Sequence, residues 1–187
     1  MSSANGSDSW IEAGLKELGR GGVGRVRVEV LAKRLGITKG GFYRRFKDRG
    51  ALLEAILRAW ARGRIDAIKE HTALGDENAR ERLKSLIKLY SERANPEGIA
   101  IELAIRQWAR SDAAALAAVV SVDDARLKGC AQLYRELGLS AKDAQARAVL
   151  LYSFIFGRSL IFLEPARGTR DSLTRACIEV LTEVGER

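Results

Sequence analysis

Residues 31–51 read LAKRLGITKGGFYRRFKDRGA, and their reading decides the fold. Ala32, Leu35 and Ile37 supply an apolar hinge. Gly36 falls where one helix must stop and the backbone must turn, the place where a left-handed conformation costs glycine least. Thr38 is placed to cap a second short helix, and Asp48 a third. Between and beside those caps lie Lys39, Tyr43, Arg44, Arg45, Lys47 and Arg49. A short helix with this much positive charge, an aromatic hydroxyl and two glycines suits insertion into a DNA major groove.

The charge of the whole chain points the same way. Of 187 residues, 32 are Lys or Arg and 24 are Asp or Glu, a net of +8. Residues 1–50 hold eleven of the bases and five of the acids, a net of +6, which leaves +2 for the remaining 137 residues. A basic block concentrates a polyanion near it and makes binding fall with salt. Two cysteines, Cys130 and Cys177, sit in apolar helical patterns and read as buried free thiols of a reducing cytosol. One histidine, His71, leaves little from which to build a metal centre or a Ser/His/Asp arrangement. The start, MSSANGSD, lacks the basic and apolar regions of a signal peptide, and cytoplasmic placement is expected.

Outward from the opening stretch, every segment reads as helix, and beta-type alternation is hard to find. Residues 1–8 are small and polar and are expected to be a disordered tail. Ser9 and Glu12 have capping-box spacing, followed by Ile11, Gly14, Leu15 and Leu18 at helical intervals. A glycine cluster from Gly19 to Gly24 ends that helix, and Arg27 holds the cap position of the next. After Asp48, a stripe of Leu53, Ile56, Leu57, Trp60, Ile65 and Ile68 predicts one long helix to about Thr72, roughly 24 residues or about 36 Å. Gly63 is a soft point within it. The next helix is strongly amphipathic and stops at Asn95-Pro96. Another passes through Trp108. A longer one closes at Gly138, and Ser140 with Asp143 offers a second capping box. Residues 148–163 are apolar nearly all round, Pro165 to Thr169 break the chain, and a final helix carries Leu173, Ala176, Cys177, Val180 and Leu181.

The expected fold is therefore all-α, with about nine helices. A three-helix helix-turn-helix DNA-binding domain spans residues 9–52, and a helical ligand-binding and dimerisation domain spans 53–187. The last two helices have more apolar face than one chain of this size covers, which predicts a homodimer through a four-helix contact. Tyr90, Trp108, Tyr134 and Tyr152 are candidate linings for a ligand pocket, although aromatic residues at helical spacing are more often core.

With those residues in place, the N-terminal block from about Ile11 to Leu57 resembles the tetracycline-repressor (TetR) family of bacterial transcriptional regulators. The resemblance rests on Ile11, Ala13 and Leu18, on Val28, Leu31 and Ala32, and on the turn Leu35-Gly36-Ile37. It continues through Thr38-Lys39-Gly40, Phe42-Tyr43, Phe46, Lys47-Asp48-Arg49 and Leu52-Leu53. It implies that Lys39, Gly40 and Gly41 lie where base edges are read, that Tyr43 and Arg49 contact phosphate with Lys47 close by, and that Phe42 and Phe46 belong to the core. Gly41 stands where Thr or Ser is frequent, Arg44-Arg45 where an aromatic-histidine pair is common, and Arg27 where a capping Thr is frequent. The expected DNA-facing set is Arg27, Thr38, Lys39, Gly40, Gly41, Tyr43, Arg44, Arg45, Lys47 and Arg49.

The function these readings imply is a ligand-responsive transcriptional regulator, a repressor by the family's default. It binds a near-palindromic double-stranded operator as a homodimer and is released by a small apolar or amphipathic inducer. No enzymatic activity, metal, cofactor or membrane partner is expected. The rival readings are a helical adaptor that retains a turn motif and an enzyme. The second would need a base near Cys130 or Cys177, and the single histidine is far away in sequence.

Overall fold

The computed structural model describes residues 4–73, 78–91, 96–157 and 167–183. Among them are nine α-helices, one 3-10 turn and no strand. The helices are α1 (Ala4–Gly21), α2 (Val28–Leu35), α3 (Lys39–Tyr43), α4 (Arg49–Thr72), α5 (Ala79–Ser91), α6 (Pro96–Trp108), α7 (Ala113–Glu136), α8 (Ala141–Gly157) and α9 (Arg167–Thr182). The 3-10 turn covers Val23–Arg25. No described helix is long and apolar enough to cross a membrane.

The chain packs as two compact units. One holds residues up to 64 with residues 94–122, and the other holds residues 65–93 with the chain from 123 onward. The division falls inside α4 and α7, so it does not follow the boundary at residue 52 that the sequence suggested.

In the first unit, Trp10, Leu18, Val26, Leu31, Phe42, Leu52 and Ile56 have no exposed surface. They come from α1 to α4 and from the turn between α1 and α2. Helix α1 also packs along α6. The closest approach is at Gly19, where a β-carbon would stand 3.0 Å from Ile101 Cγ1 and 3.3 Å from the Ile101 backbone nitrogen. A side chain there would push against main chain, so glycine sets the spacing of the two helices. Glu102, buried on α6, accepts from Arg106 at 2.9 Å and faces Arg64 of α4 at 3.7 Å.

In the second unit, one cluster joins Leu83 and Leu86 of α5, Cys130, Leu133 and Tyr134 of α7, and Ala148, Leu151, Tyr152 and Ile155 of α8. Ile178 and Leu181 of α9 pack against it. Arg82 reaches from α5 to the end of α4, where its Nη1 donates to Thr72 O and Ala73 O at 3.1 Å each. Its Nη2 donates to Glu136 of α7. A guanidinium at a helix C-terminus meets carbonyls that have no intrahelical partner.

Several expectations need correction. Residues 4–8 are helical, not part of a disordered tail, because α1 starts at Ala4. Burial of Trp10 pins the helix, and the Arg45 side chain lies along its first turns at Gly6, so Ser9 falls inside α1 and does not cap it. Pro96 starts α6, where its missing N–H costs nothing. Gly168 and Thr169 lie in the first turn of α9 and do not break it. Gly63 leaves α4 continuous. Residues 158–163, the later part of the predicted apolar run, and Glu164 to Ala166 after it lie outside the described residues.

Cys130 is fully buried, while Cys177 is only half-buried; both are free. Burial pushes the Cys130 thiol up to about 12. Thiolate-selective alkylation at pH 8 is therefore expected to reach Cys130 only after unfolding. Because the fold holds this thiol protonated, its contribution to stability is present below pH 9 and falls as pH rises toward 12. Peptide mapping after timed labelling checks the first expectation. A denaturant series in alkali checks the second.

Candidate nucleic-acid interface

The turn between α2 and α3 is built from local hydrogen bonds. Gly36 has φ 65° and ψ 26°, the left-handed conformation. Its N–H donates to Lys33 O at 3.4 Å, and the Ile37 N–H donates to Ala32 O at 3.0 Å. This pair of backward bonds ends α2 and sends the chain off at an angle. Thr38 then takes extended dihedrals, and its hydroxyl accepts from the Gly41 N–H at 3.3 Å. Asp48 does the same for α4, accepting from the Ala51 N–H at 2.8 Å. All three caps stand where the sequence placed them.

Helix α3 is five residues long, too short to persist alone. Aromatic packing holds it. Phe42 is fully buried, edge-on to Trp10 with centroids 5.2 Å apart, and stacked on Phe46 at 5.5 Å. Tyr43 leans its edge on Phe42 at 5.2 Å but is 60% exposed. One face of α3 is thus fixed to the core. The other presents Thr38, Lys39, Gly40, Tyr43, Arg44, Arg45 and Lys47 to solvent, with Gly41 half-buried. Arg27, at the start of α2, is also exposed.

The two glycines of α3 do different jobs. A β-carbon at Gly41 would meet Ile37 Cγ2 at 2.5 Å, so a side chain there requires Ile37 to move. At Gly40 a β-carbon would meet only Thr38 Oγ1, at 3.7 Å. Gly40→Ala is therefore expected to keep or raise thermal stability, since alanine is favoured in a helix by about 1 kcal/mol. If the α3 backbone approaches DNA closely, the same change lowers DNA affinity. Melting and duplex titration of one variant separate the two effects.

The basic side chains are not equally available. Arg45 lies across Gly6 of α1, where a β-carbon would collide with its guanidinium. Arg49 donates from Nε to Val26 O and from Nη2 to Val23 O, both at 2.6 Å. This satisfies carbonyls of the 3-10 turn and locks it to the start of α4, a task distinct from the phosphate contact that the resemblance implied. Arg49→Ala is expected to lower the melting temperature, whereas a side chain serving only as a phosphate contact would leave it unchanged.

Lys39 is also engaged. Its Nζ lies 2.9 Å from Glu29 Oε1, with both side chains more than half exposed. Hydrogen bonding to Lys39, and then to its own backbone N–H, holds the Glu29 carboxyl below the ordinary value. Glu29 escaped the sequence reading because its partner is ten residues away, across a turn whose angle brings them together. Glu17 escaped it too. This carboxylate on α1 is 1% exposed and faces Arg20 at 3.1 Å, Arg25 at 3.0 Å and Arg34 at 2.7 Å. It ties α1 to the 3-10 turn and to α2.

The four aromatic ligand candidates are distributed between the two units. Trp108 is buried in the first, and Tyr134 and Tyr152 in the second. The Tyr90 side chain lies outside the described residues. The Tyr134 hydroxyl donates to Leu181 O of α9 at 2.8 Å, and burial raises its pKa. The ring faces of Tyr152 and Phe156 lie 6.0 and 5.1 Å from the Arg126 guanidinium, itself 1% exposed. Trp60, which also lies in the apolar stripe of α4, has a buried indole N–H with no acceptor among the described residues. His71 places Nδ1 2.8 Å from Ala67 O, one turn back on α4.

Comparison with known proteins agrees with this geometry. The family model described as bacterial regulatory proteins, tetR family, matches residues 11–56, which span most of α1, all of α2 and α3, and the start of α4. The HTH-type transcriptional regulator BetI of Pseudomonas paraeruginosa is 30% identical over 151 residues, covering 79% of this chain and 76% of that protein. Among solved structures, one from Saccharomonospora viridis, assigned as a transcriptional regulator and in complex with choline, superposes with a TM-score of 0.79. It has 20% identity and covers 99% of this chain and 100% of that one. A TetR-type regulator structure from Rhodococcus sp. gives 0.73 at 23% identity, covering 96% and 100%.

Proposed function

This chain belongs to the tetR family of bacterial regulatory proteins, and on that premise we propose that it is a ligand-responsive repressor. It binds a near-palindromic operator as a homodimer and leaves it when a small molecule binds the helical body. The observation that carries the DNA-binding part is the two-sided α3. Phe42 fastens one side to Trp10, and the other side is basic, exposed and free of side-chain bulk at Gly40. Arg27, Tyr43, Arg44 and Lys47 surround it as phosphate contacts. Lys39, on its first turn, reads a base.

Exposed apolar surface supports the dimer. Val149 and Leu150 on α8 are 51% and 59% exposed, and Leu173 and Val180 on α9 are 52% and 69% exposed. On α8 these residues continue through Ala146 and Ser153, a stripe without charge. A second copy would cover it in the contact typical of four-helix bundles.

The released ligand is small and apolar or amphipathic. Choline is the first compound to test, because the Saccharomonospora viridis protein holds it. Aromatic faces attract organic cations, and those of Tyr152 and Phe156 already hold a guanidinium. Helix α4 runs unbroken from Arg49, beside the reading head, to Thr72, and α6 is fitted to α1 at Gly19. A ligand that favours one arrangement of these helices lowers operator affinity by its differential binding energy.

The test is fluorescence anisotropy with duplexes from beside the protein's own gene, in a salt series, with and without choline and other small amphipathic compounds. Salt-sensitive, sequence-preferring binding that one compound weakens is expected. Equal affinity for all duplexes would exclude the operator. Operator binding that no bound compound alters would exclude the ligand response.

A further inference from the structure

We infer that Glu29 and Lys39 act as one reading unit for a G·C base pair in the operator half-site. This rests on the DNA-binding function proposed above, and it adds to the reading surface a residue from α2 that the sequence motif did not contain.

In the major groove, G·C presents two acceptors, guanine N7 and O6, beside one donor, the cytosine N4 amino group. A complementary protein surface needs a donor next to an acceptor. The Lys39 ammonium is donor-only and the ionised Glu29 carboxylate is acceptor-only. Their atoms lie 2.9 Å apart, and the side chains are 59% and 62% exposed. They come from the first turns of α2 and α3. The backbone N–H of Glu29 steadies its carboxylate, and Arg27 lies close enough to favour its charge.

A carboxylate on a surface that faces phosphates otherwise works against binding. Lys39 offsets that repulsion, and the cytosine amino group rewards what remains. At positions where the groove offers only an acceptor to Glu29, such as thymine O4, the carboxylate is repelled. The pair therefore selects by rejection as well as by attraction. It also compensates for its neighbours, since Gly40 and Gly41 bring no side-chain hydrogen bond to the groove.

The experiment is selection of bound duplexes from a random library by the full-length protein and by Lys39→Ala, Glu29→Ala and Glu29→Gln. The wild-type motif is expected to contain a G·C pair preferred about tenfold in each half-site. Lys39→Ala and Glu29→Ala relax that one position and leave the others. Glu29→Gln, the isosteric variant, shifts it toward A·T, because an amide pairs with adenine N6 and N7. The inference is overturned if Glu29→Ala keeps the G·C preference or relaxes a position other than the one Lys39→Ala relaxes. It is overturned equally if Glu29→Ala tightens binding to all sequences alike. A wild type that enriches no sequence removes the DNA-reading function itself. A wild-type motif indifferent to Glu29 removes only the pair.

Discussion

Trp10→Ala is expected to lower the unfolding free energy by about 4 kcal/mol, within the range for truncating a fully buried tryptophan. Trp10 has no exposed surface, and its ring meets Phe42 edge-on. The loss removes apolar contact area, and it also removes the wall against which α3 is held. Because α3 has five residues and no stability of its own, the variant is expected to lose DNA binding even at temperatures where α4 to α9 stay helical. Tyr43→Ala provides the contrast. With Tyr43 60% exposed, it is expected to change stability by less than about 0.5 kcal/mol while weakening DNA binding. Denaturant titration and circular dichroism measure the first pair of effects, and duplex titration the second. A Trp10→Ala protein that unfolds at the wild-type midpoint would show that α1 is not what holds the recognition helix.

Glu17→Ala is expected to cost about 2 kcal/mol. Its carboxylate is buried under three guanidiniums that join α1, the 3-10 turn and α2. Removing one member of a buried ionic group costs about 3–5 kcal/mol when a buried charge is stranded. Here Arg20, Arg25 and Arg34 keep 51%, 56% and 36% of their side-chain surface in water, so they are rehydrated and the cost is lower. The same reasoning makes Glu17→Leu milder than Glu17→Ala, since leucine fills the buried space that the arginines leave. Equilibrium unfolding of both variants decides this. Equal losses would mean that the charge, and not the buried volume, is what the site depends on.

The features legible from the sequence were those set by short-range hydrogen bonds. Gly36, Thr38 and Asp48 bond within a few residues of themselves, and Gly138 and Ser140 repeat the pattern at the junction of α7 and α8. The 24 residues of α4 were legible for a similar reason, since its apolar stripe and its cap both lie within the segment. Features set by distant partners were not. Arg49 looked like a free basic side chain, yet its acceptors are carbonyls 23 and 26 residues earlier. Glu17 and Glu29 gave no periodic signal, since each gains its meaning from an arginine or lysine on another helix. Pro96 is ambiguous in principle, because proline both follows one helix and opens the next.

The central claim is that two copies of α3 read one operator. A footprint on the DNA beside the protein's own gene tests it most directly. The predicted result is two protected half-sites related by a two-fold axis, their centres about one helical turn or slightly more apart, with protection lost as salt is raised. Protection of a single unpaired site, or none at any salt concentration, would contradict the account.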